Sequence, residues 1–414
     1  MVHIRGGNTL FGETRIQGSK NAVLPVMAAA LLIQDTCVLE NCPRISDVCH
    51  MQKLLTRMGC KISRAGRDLV IDAKAVSEDK MAGESVTGMR SSIMLLGAML
   101  GRFGQATMEY PGGCVIGKRP IDMHLWALSQ MGVKITKEEN LFHATGKDLQ
   151  GAVIRLPFAS VGATENVILT AVAAKGVTVL QNAAREPEII TLCNFLKKAG
   201  AVIEGTGGST LLILGGIPLH GIRFRIPADR IVAGTYLLSV LGCGGHIFLE
   251  DAPVAQLRSV MKLAAFMGAE MTEVKEGLSI MAKPSRMPIP YIKTEIFPGF
   301  PTDLQSPLMA VLSMAEGISV IEETIFEDRF GMAQELERMG ANVKIEGKRA
   351  TVTGISRLRG NEVSARDLRG GAGLVLAGCM AEGETIVKNR HFIERGYEDI
   401  CRDYQNLGVN IYTG

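Results

Sequence analysis

The 414-residue sequence is poor in aromatic side chains, which make up 5 % of it with a single tryptophan, and it lacks an excess of either charge. Its 45 Lys and Arg stand against 42 Asp and Glu, a formal net charge of +3. That balance gives no polybasic footprint and argues against general binding to nucleic acid or to a membrane surface. Any anion must be gripped by a few placed residues. Apolar runs are short as well: the longest, such as 24–33, hold about ten residues, half of what a membrane-spanning helix needs. The amino-terminal stretch MVHIRGGNTLFGETRIQG is polar and has no apolar segment of signal-peptide type, so a soluble, cytoplasmic protein is expected. Nine cysteines form an odd set with no CxxC spacing, which fits neither a disulfide framework nor a zinc site. Most of these thiols are expected to be small buried hydrophobes in a reducing compartment. GxxxxGK[ST], a complete GxGxxG, HExxH and GxSxG are absent, and the seven histidines are scattered. Nucleotide triphosphate hydrolysis, nicotinamide chemistry and zinc hydrolysis all fall in rank, and neither a metal nor a cofactor is expected.

What the sequence does have is repetition. An amphipathic helical stretch ending at an apolar-Gly pair and turning into a strand occurs six times: LLTRMGCKIS, ALSQMGVKIT, FLKKAGAVIE, AAFMGAEMT, ELERMGANVK and YQNLGVNIYTG. Its glycines, Gly59, Gly132, Gly200, Gly268, Gly340 and Gly408, lie 73, 68, 68, 72 and 68 residues apart. Each marks a helix end that needs a left-handed backbone to reverse. About 40 residues before each comes a polar start followed by a helix apolar nearly all round, the pattern of a buried helix. The unit reads buried helix, strand, amphipathic helix, strand, strand. Six units of about 70 residues are longer than ordinary linear repeats, and polar capping units are missing. Closure of three units around their own buried helices is therefore expected, giving two α/β domains. The boundary is placed near Pro227: the first domain is 20–227, and the second is 228–414 completed by 1–19, whose HIRG and ETRIQG read as a strand pair.

The polar residues opening the buried helices are of functional type: Lys20 and Asn21, Arg90, Arg230, Asp303, and Asp367 with Arg369. A helix amino terminus offers unsatisfied N–H groups and partial positive charge, so added Lys or Arg makes an anion site; capping or pairing with carboxylates is the structural alternative. The densest cluster is PGGCVIGKRPIDMH, residues 111–124, a loop holding a thiol, a Lys and an Arg. There Cys114 reads either as a reactive thiol of lowered pKa or as a buried cysteine in a turn, and Arg119 either as a phosphate grip or as a solvated charge. Asp303 reads as a helix cap or, if it faces the cations, as a base for a hydroxyl. AREPEI with Glu186 and DRF with Arg329 read by default as capping or solvated segments.

These motifs carry a resemblance. GSKNAVLP, MRSSI, PGGCVIGKRPIDMH, SVGATEN, AREPEI, FPTDLQSP, EDRF, DLRGGAGLVLAG and ERGYEDI occur in order from near residue 15 to near residue 400. They resemble the successive motifs of the UDP-N-acetylglucosamine 1-carboxyvinyltransferases, a family of enolpyruvyl transferases. The resemblance implies an inside-out α/β barrel fold in two domains of three repeats, with substrates bound between the domains and closure on binding. It implies addition of the 3-hydroxyl of UDP-N-acetylglucosamine to C2 of phosphoenolpyruvate, protonation at C3, then loss of phosphate. Lys20, Arg119 and Arg395 would neutralise phosphoenolpyruvate. Cys114 would protonate C3 and could carry a covalent adduct, or be alkylated by fosfomycin. Asp303 would take the hydroxyl proton in addition, or help remove the methyl proton in elimination. Asn21, Arg90, the segment Arg119, Pro120, Ile121, Asp122 and Met123, the segment Phe158, Ala159, Ser160 and Val161, and Ile325 match positions around the UDP-sugar. Glu186, Arg329, Asp367 and Arg369 match cleft positions. Phe158 stands where some family members have Lys, which removes a charged contact. The sister activity on shikimate 3-phosphate and a non-catalytic UDP-sugar binder are the alternatives. PGGC with Cys114 and SVGATEN favour the UDP-sugar enzyme.

Overall fold

A computed structural model of the chain describes residues 1–76, 93–110 and 121–414. They form a mixed α/β fold of two compact units. One is built from Met1–Gln17 and Ala228–Gly414, the other from the described residues between Gly18 and Pro227. Each unit has its own continuous apolar core.

Twelve α-helices occur among the described residues, six in each unit. The 18–227 unit holds α1 (Lys20–Ala30), α2 (Ser46–Arg57), α3 (Leu95–Phe103), α4 (Asp122–Ser129), α5 (Val161–Ala171) and α6 (Pro187–Lys198). The other holds α7 (Arg230–Cys243), α8 (Arg258–Phe266), α9 (Gln305–Leu312), α10 (Ala333–Arg338), α11 (Leu368–Met380) and α12 (Ile400–Asn406). Odd-numbered helices are the ones apolar on all sides, and they are buried accordingly: every residue of α11, and all of α7 after Arg230. Even-numbered helices bury one stripe; in α8 only Val260 and Ala264 are buried. Short polar side chains start several buried helices. Ser19, Ser160, Asp229 and Asp367 each accept backbone N–H bonds of the first turn of α1, α5, α7 and α11.

The six glycines that close the amphipathic helices all have positive φ, between 85° at Gly408 and 109° at Gly200. A side chain there would strain the reversal into the following strand. Gly373 serves packing instead. A Cβ on it would lie 2.5 Å from the Met332 sulfur and 3.0 Å from the backbone of Ser306, so its absence lets α11 pass close against α9.

Among the described residues, strands form small sheets, three in each unit. In the 18–227 unit, one has the order Arg223–Arg225, Thr36–Glu40, Asp68–Asp72, Lys61–Ala65, and another Gln105–Glu109, Leu141–Thr145, Lys134–Glu138. The third runs Val202–Glu204, Thr210–Leu214, Val177–Gln181, Val153–Arg155. In the other unit, Val2–Arg5 lies between Glu384–Lys388 and Asn410–Thr413, antiparallel to both, and Leu10–Arg15 pairs in parallel with Gly245–Glu250. The alternation of buried and exposed residues turns one face of each strand to the helices. No helix among the described residues is long and apolar enough to cross a membrane.

Of the eight described cysteines, Cys49 is exposed and the other seven are buried. Burial pushes the thiols of Cys37, Cys60, Cys193 and Cys401 up to about 11 and that of Cys243 to about 12.

Candidate active site

In the 18–227 unit, Lys20 and Asn21 are the first two residues of α1, placed there by the Ser19 cap. The Lys20 ammonium lies 2.8 Å from Asp47 Oδ2, in the first turn of α2, and both side chains are largely buried. Asp47 was not singled out by sequence reasoning. Its only signal is an acidic residue in a helix first turn, which normally needs no partner.

Ile121 is buried just ahead of α4, and Asp122 and Met123 form its first turn. Phe158 is exposed, Ala159 is buried, Ser160 caps α5 and Val161 begins it. Asn166, one turn further along α5, ties these elements together. Its Oδ1 accepts from Gly97 N at 2.7 Å, and its Nδ2 donates to Ile93 O at 3.0 Å and lies 2.8 Å from His124 Nδ1. Because the first two bonds fix the amide orientation, His124 Nδ1 is the acceptor. The starts of α3 and α4 are thereby pinned to α5, and a Cβ on Gly162 would come within 2.8 Å of the His124 ring. This knot was missed in the sequence because Asn166 reads there as one polar residue in an apolar helix.

Glu186 precedes α6, whose first residue is Pro187, and is buried with Glu188 and the α5 residue Glu165. Burial first, then the charges of Glu188 and Glu186, push the Glu165 carboxyl well above the usual range. Among the described residues its Oε2 has no hydrogen-bond partner.

In the other unit, Asp303 lies in the 3-10 turn Thr302–Leu304 that leads into α9, and its side chain does not cap that helix. Instead Oδ1 accepts from Arg329 Nη2 at 2.7 Å and Oδ2 from Arg369 Nη2 at 2.8 Å. This corrects the default for Arg329: the DRF segment places it in the interior at 3 % exposure, where Asp303 compensates its charge. Burial alone would lower the Arg369 pKa, but the charge and hydrogen bond of Asp303 together with the charges of Tyr397 and Asp229 outweigh it, and the group stands above its ordinary value. Asp367 caps α11 through Arg369 N and Gly370 N at 2.9 and 3.0 Å, fixing where Arg369 leaves the helix. Buried Glu323, another residue not anticipated, accepts from Thr294 Oγ1, Thr302 Oγ1, Ile325 N and Phe326 N. It joins the Asp303 turn to the loop carrying Ile325. Arg395 ends the 3-10 segment Arg390–Arg395 and is partly buried. Arg90, Cys114, Arg119 and Pro120 lie outside the described residues.

One unit thus holds a carboxylate gripped by two buried guanidiniums, and the other an ammonium at a helix start paired with a carboxylate. The sequence matches the EPSP synthase (3-phosphoshikimate 1-carboxyvinyltransferase) family over residues 4–403, and the chain belongs to that family of enolpyruvyl transferases. Within it, similar curated relatives carry one activity in their names. A protein of Caldanaerobacter subterraneus subsp. tengcongensis, UDP-N-acetylglucosamine 1-carboxyvinyltransferase 2, is 42 % identical over 408 residues, covering 99 % of this chain and 98 % of its own length. The UDP-N-acetylglucosamine 1-carboxyvinyltransferase of Jannaschia sp. is 43 % identical over 412 residues, with the same coverage. Among solved structures, the enolpyruvyl transferase NikO from Streptomyces tendae superposes with a TM-score of 0.87 at 25 % identity, covering 99 % of this chain and 98 % of that one. EPSP synthase from Acinetobacter baumannii, at 19 % identity and a TM-score of 0.75 over 100 % of this chain and 99 % of that one, shares the fold.

Proposed function

We propose that this chain transfers the enolpyruvyl group of phosphoenolpyruvate to the 3-hydroxyl of UDP-N-acetylglucosamine, releasing phosphate, in peptidoglycan precursor synthesis. The observation that carries this reading is the near-full-length similarity, at 42 and 43 % identity, to relatives named for that reaction. In the addition step the sugar oxygen bonds to C2 of phosphoenolpyruvate and gives its proton to Asp303, while the Cys114 thiol delivers a proton to C3. In the elimination step the C2–O bond to phosphate breaks, the leaving phosphate takes the proton held by Asp303, and a C3 proton returns to the Cys114 thiolate, restoring the double bond and both side chains.

Lys20, Arg119 and Arg395 neutralise the phosphate and carboxylate of phosphoenolpyruvate. Arg329 and Arg369 orient the Asp303 carboxylate, supported by the two bonds described above. Asn21, Arg90, Arg119 to Met123, Phe158 to Val161 and Ile325 surround the UDP-sugar, and Glu186 and Asp367 position their neighbours. The family's inside-out α/β barrel, in domains 20–227 and 228–414 with 1–19, each of three repeats, is the matching architecture. It is supported by the positive φ at all six helix-end glycines.

Phosphate release is to be measured with phosphoenolpyruvate and either UDP-N-acetylglucosamine or shikimate 3-phosphate. Turnover with the UDP-sugar alone, abolished in Cys114→Ser while UDP-sugar binding by calorimetry is retained, is the expected result. Release with shikimate 3-phosphate alone would overturn the reading, and binding of the UDP-sugar without turnover would make the chain a non-catalytic binder. Fosfomycin is expected to add to Cys114, as read by mass spectrometry.

A further inference from the structure

Arg395 ends a 3-10 segment, and the residues after it, up to the start of α12 at Ile400, form neither helix nor strand. A guanidinium carried there is only as well placed as the backbone beside it. Two glycines bring that backbone close to α11. A Cβ on Gly371 would stand 2.7 Å from Ile393 Cγ1, and one on Gly396 2.7 Å from Leu368 Cδ2. Gly396, Tyr397 and Glu398 are then each tied down by a hydrogen bond to a side chain or from their own.

Gln17, 3 % exposed and in the same unit, supplies two of these ties. Its Nε2 donates to Gly396 O at 3.0 Å, and its Oε1 accepts from Glu398 N at 2.7 Å. A carbonyl only accepts and a backbone N–H only donates, so the orientation of the amide is fixed. By straddling Tyr397 in this way, the side chain does what a peptide group of a neighbouring parallel strand does in a ladder. Gln17 is itself anchored, its carbonyl accepting from Asp229 N at 2.8 Å. Buried Tyr397 supplies the third tie. Thr235 Oγ1 gives its proton to Ile231 O at 2.9 Å, so across the 2.8 Å contact between the two hydroxyls Tyr397 is the donor and Thr235, on α7, the acceptor. Burial raises the Tyr397 pKa, and the charge of Arg369 works against that rise.

We infer that Gln17 is a positioning residue: by holding Gly396 and Glu398 it places the Arg395 guanidinium for the phosphoenolpyruvate anion, without touching that substrate itself. The inference rests on the reaction proposed above, in which Arg395 meets part of the anion's charge. Without the amide, Gly396 O and Glu398 N lose buried partners, and the segment that carries Arg395 shifts to find others. A displacement of about 1 Å at a group that grips the substrate can cost about a hundredfold in rate. The Tyr397 tie remains and limits the displacement, so the loss stays at or below that figure.

Gln17→Met keeps the length of the side chain and removes both bonds. In steady-state phosphate release, kcat/KM for phosphoenolpyruvate is expected to fall about ten- to a hundredfold, mainly through KM, while the Kd of UDP-N-acetylglucosamine by calorimetry stays within about twofold. Tyr236→Phe, which removes another buried hydrogen bond of the same unit, is the control: it is expected to lower Tm and leave kcat/KM for phosphoenolpyruvate unchanged. In an Arg395→Lys background, Gln17→Met is expected to cost less than about threefold, because the fork it places is gone. Should Gln17→Met not fold, Gln17→Asn, one methylene too short to span both backbone groups, takes its place with the same expectation. An unchanged KM for phosphoenolpyruvate, a parallel loss of UDP-sugar affinity, or the same fold loss with and without Arg395 would overturn the inference while leaving the reaction standing. A parental chain without turnover would overturn the proposed reaction, and this inference with it.

Discussion

Replacing Asp303 by alanine removes the carboxylate that both Arg329 and Arg369 grip, at 2.7 and 2.8 Å. Those guanidiniums are 3 and 4 % exposed, so water cannot take over. Leaving a buried charge uncompensated costs about 3–5 kcal/mol. For a unit of roughly 200 residues, each kcal/mol moves Tm by about 2–4 °C, so a fall of about 6–20 °C is expected. Thermal and urea unfolding followed by far-UV circular dichroism report it, and hydrogen exchange in α9 and α11 assigns it to that unit. The compensating variant is decisive: Asp303→Ala with Arg369→Met, which removes one of the stranded charges, is expected to regain about 1–2 kcal/mol. A loss below about 1 kcal/mol for Asp303→Ala, or no recovery in the double variant, would refute the reasoning. Asp303→Asn keeps an acceptor oxygen and so loses less stability, yet it cannot accept a proton, and its turnover is expected to fall by about two orders of magnitude or more.

Glu165 sets a pH dependence. Its folded-state pKa is raised by burial above the ordinary 4.5, so the native state holds a proton that the unfolded chain has lost, and stability falls as pH rises above about 4.5. Glu165→Gln is expected to flatten that fall, measured by urea unfolding at pH 5 and pH 8; an unchanged slope would contradict a neutral Glu165. Asn166→Ala removes three contacts at the starts of α3 and α4 and is expected to cost about 2–4 kcal/mol, with faster amide exchange at Gly97 as the local readout. Brief alkylation of the native protein followed by mass spectrometry is expected to modify Cys49 among the eight described cysteines, the other seven reacting only after unfolding.

The helices were legible because burial writes itself into composition: α7 and α11 carry no polar face, α8 carries a wide one, and the helix-end glycines mark a backbone that other residues avoid. Residue types at the site were legible too, since Lys20, Asp303 and Arg369 stand at the openings of apolar helices. Their partners were not. Asp47 lies 27 positions from Lys20, and Arg329 lies 26 from Asp303, separations at which no local pattern announces a contact. Asn166 and Glu323 were hidden for a related reason. Each satisfies backbone groups of distant segments, and backbone groups have no signature in sequence.

The strand Val2–Arg5 is made about 380 residues ahead of the two strands that flank it, Glu384–Lys388 and Asn410–Thr413. At about 5–20 residues per second, its neighbours follow roughly 20–80 s later. Over that interval Val2 and Ile4, which end fully buried, have nowhere to go. The 18–227 unit, made in one uninterrupted stretch, can close meanwhile. Translation thus imposes an order in which the inserted unit matures first and the discontinuous one last. During that wait the nascent chain depends on whatever shields its unpaired first strand.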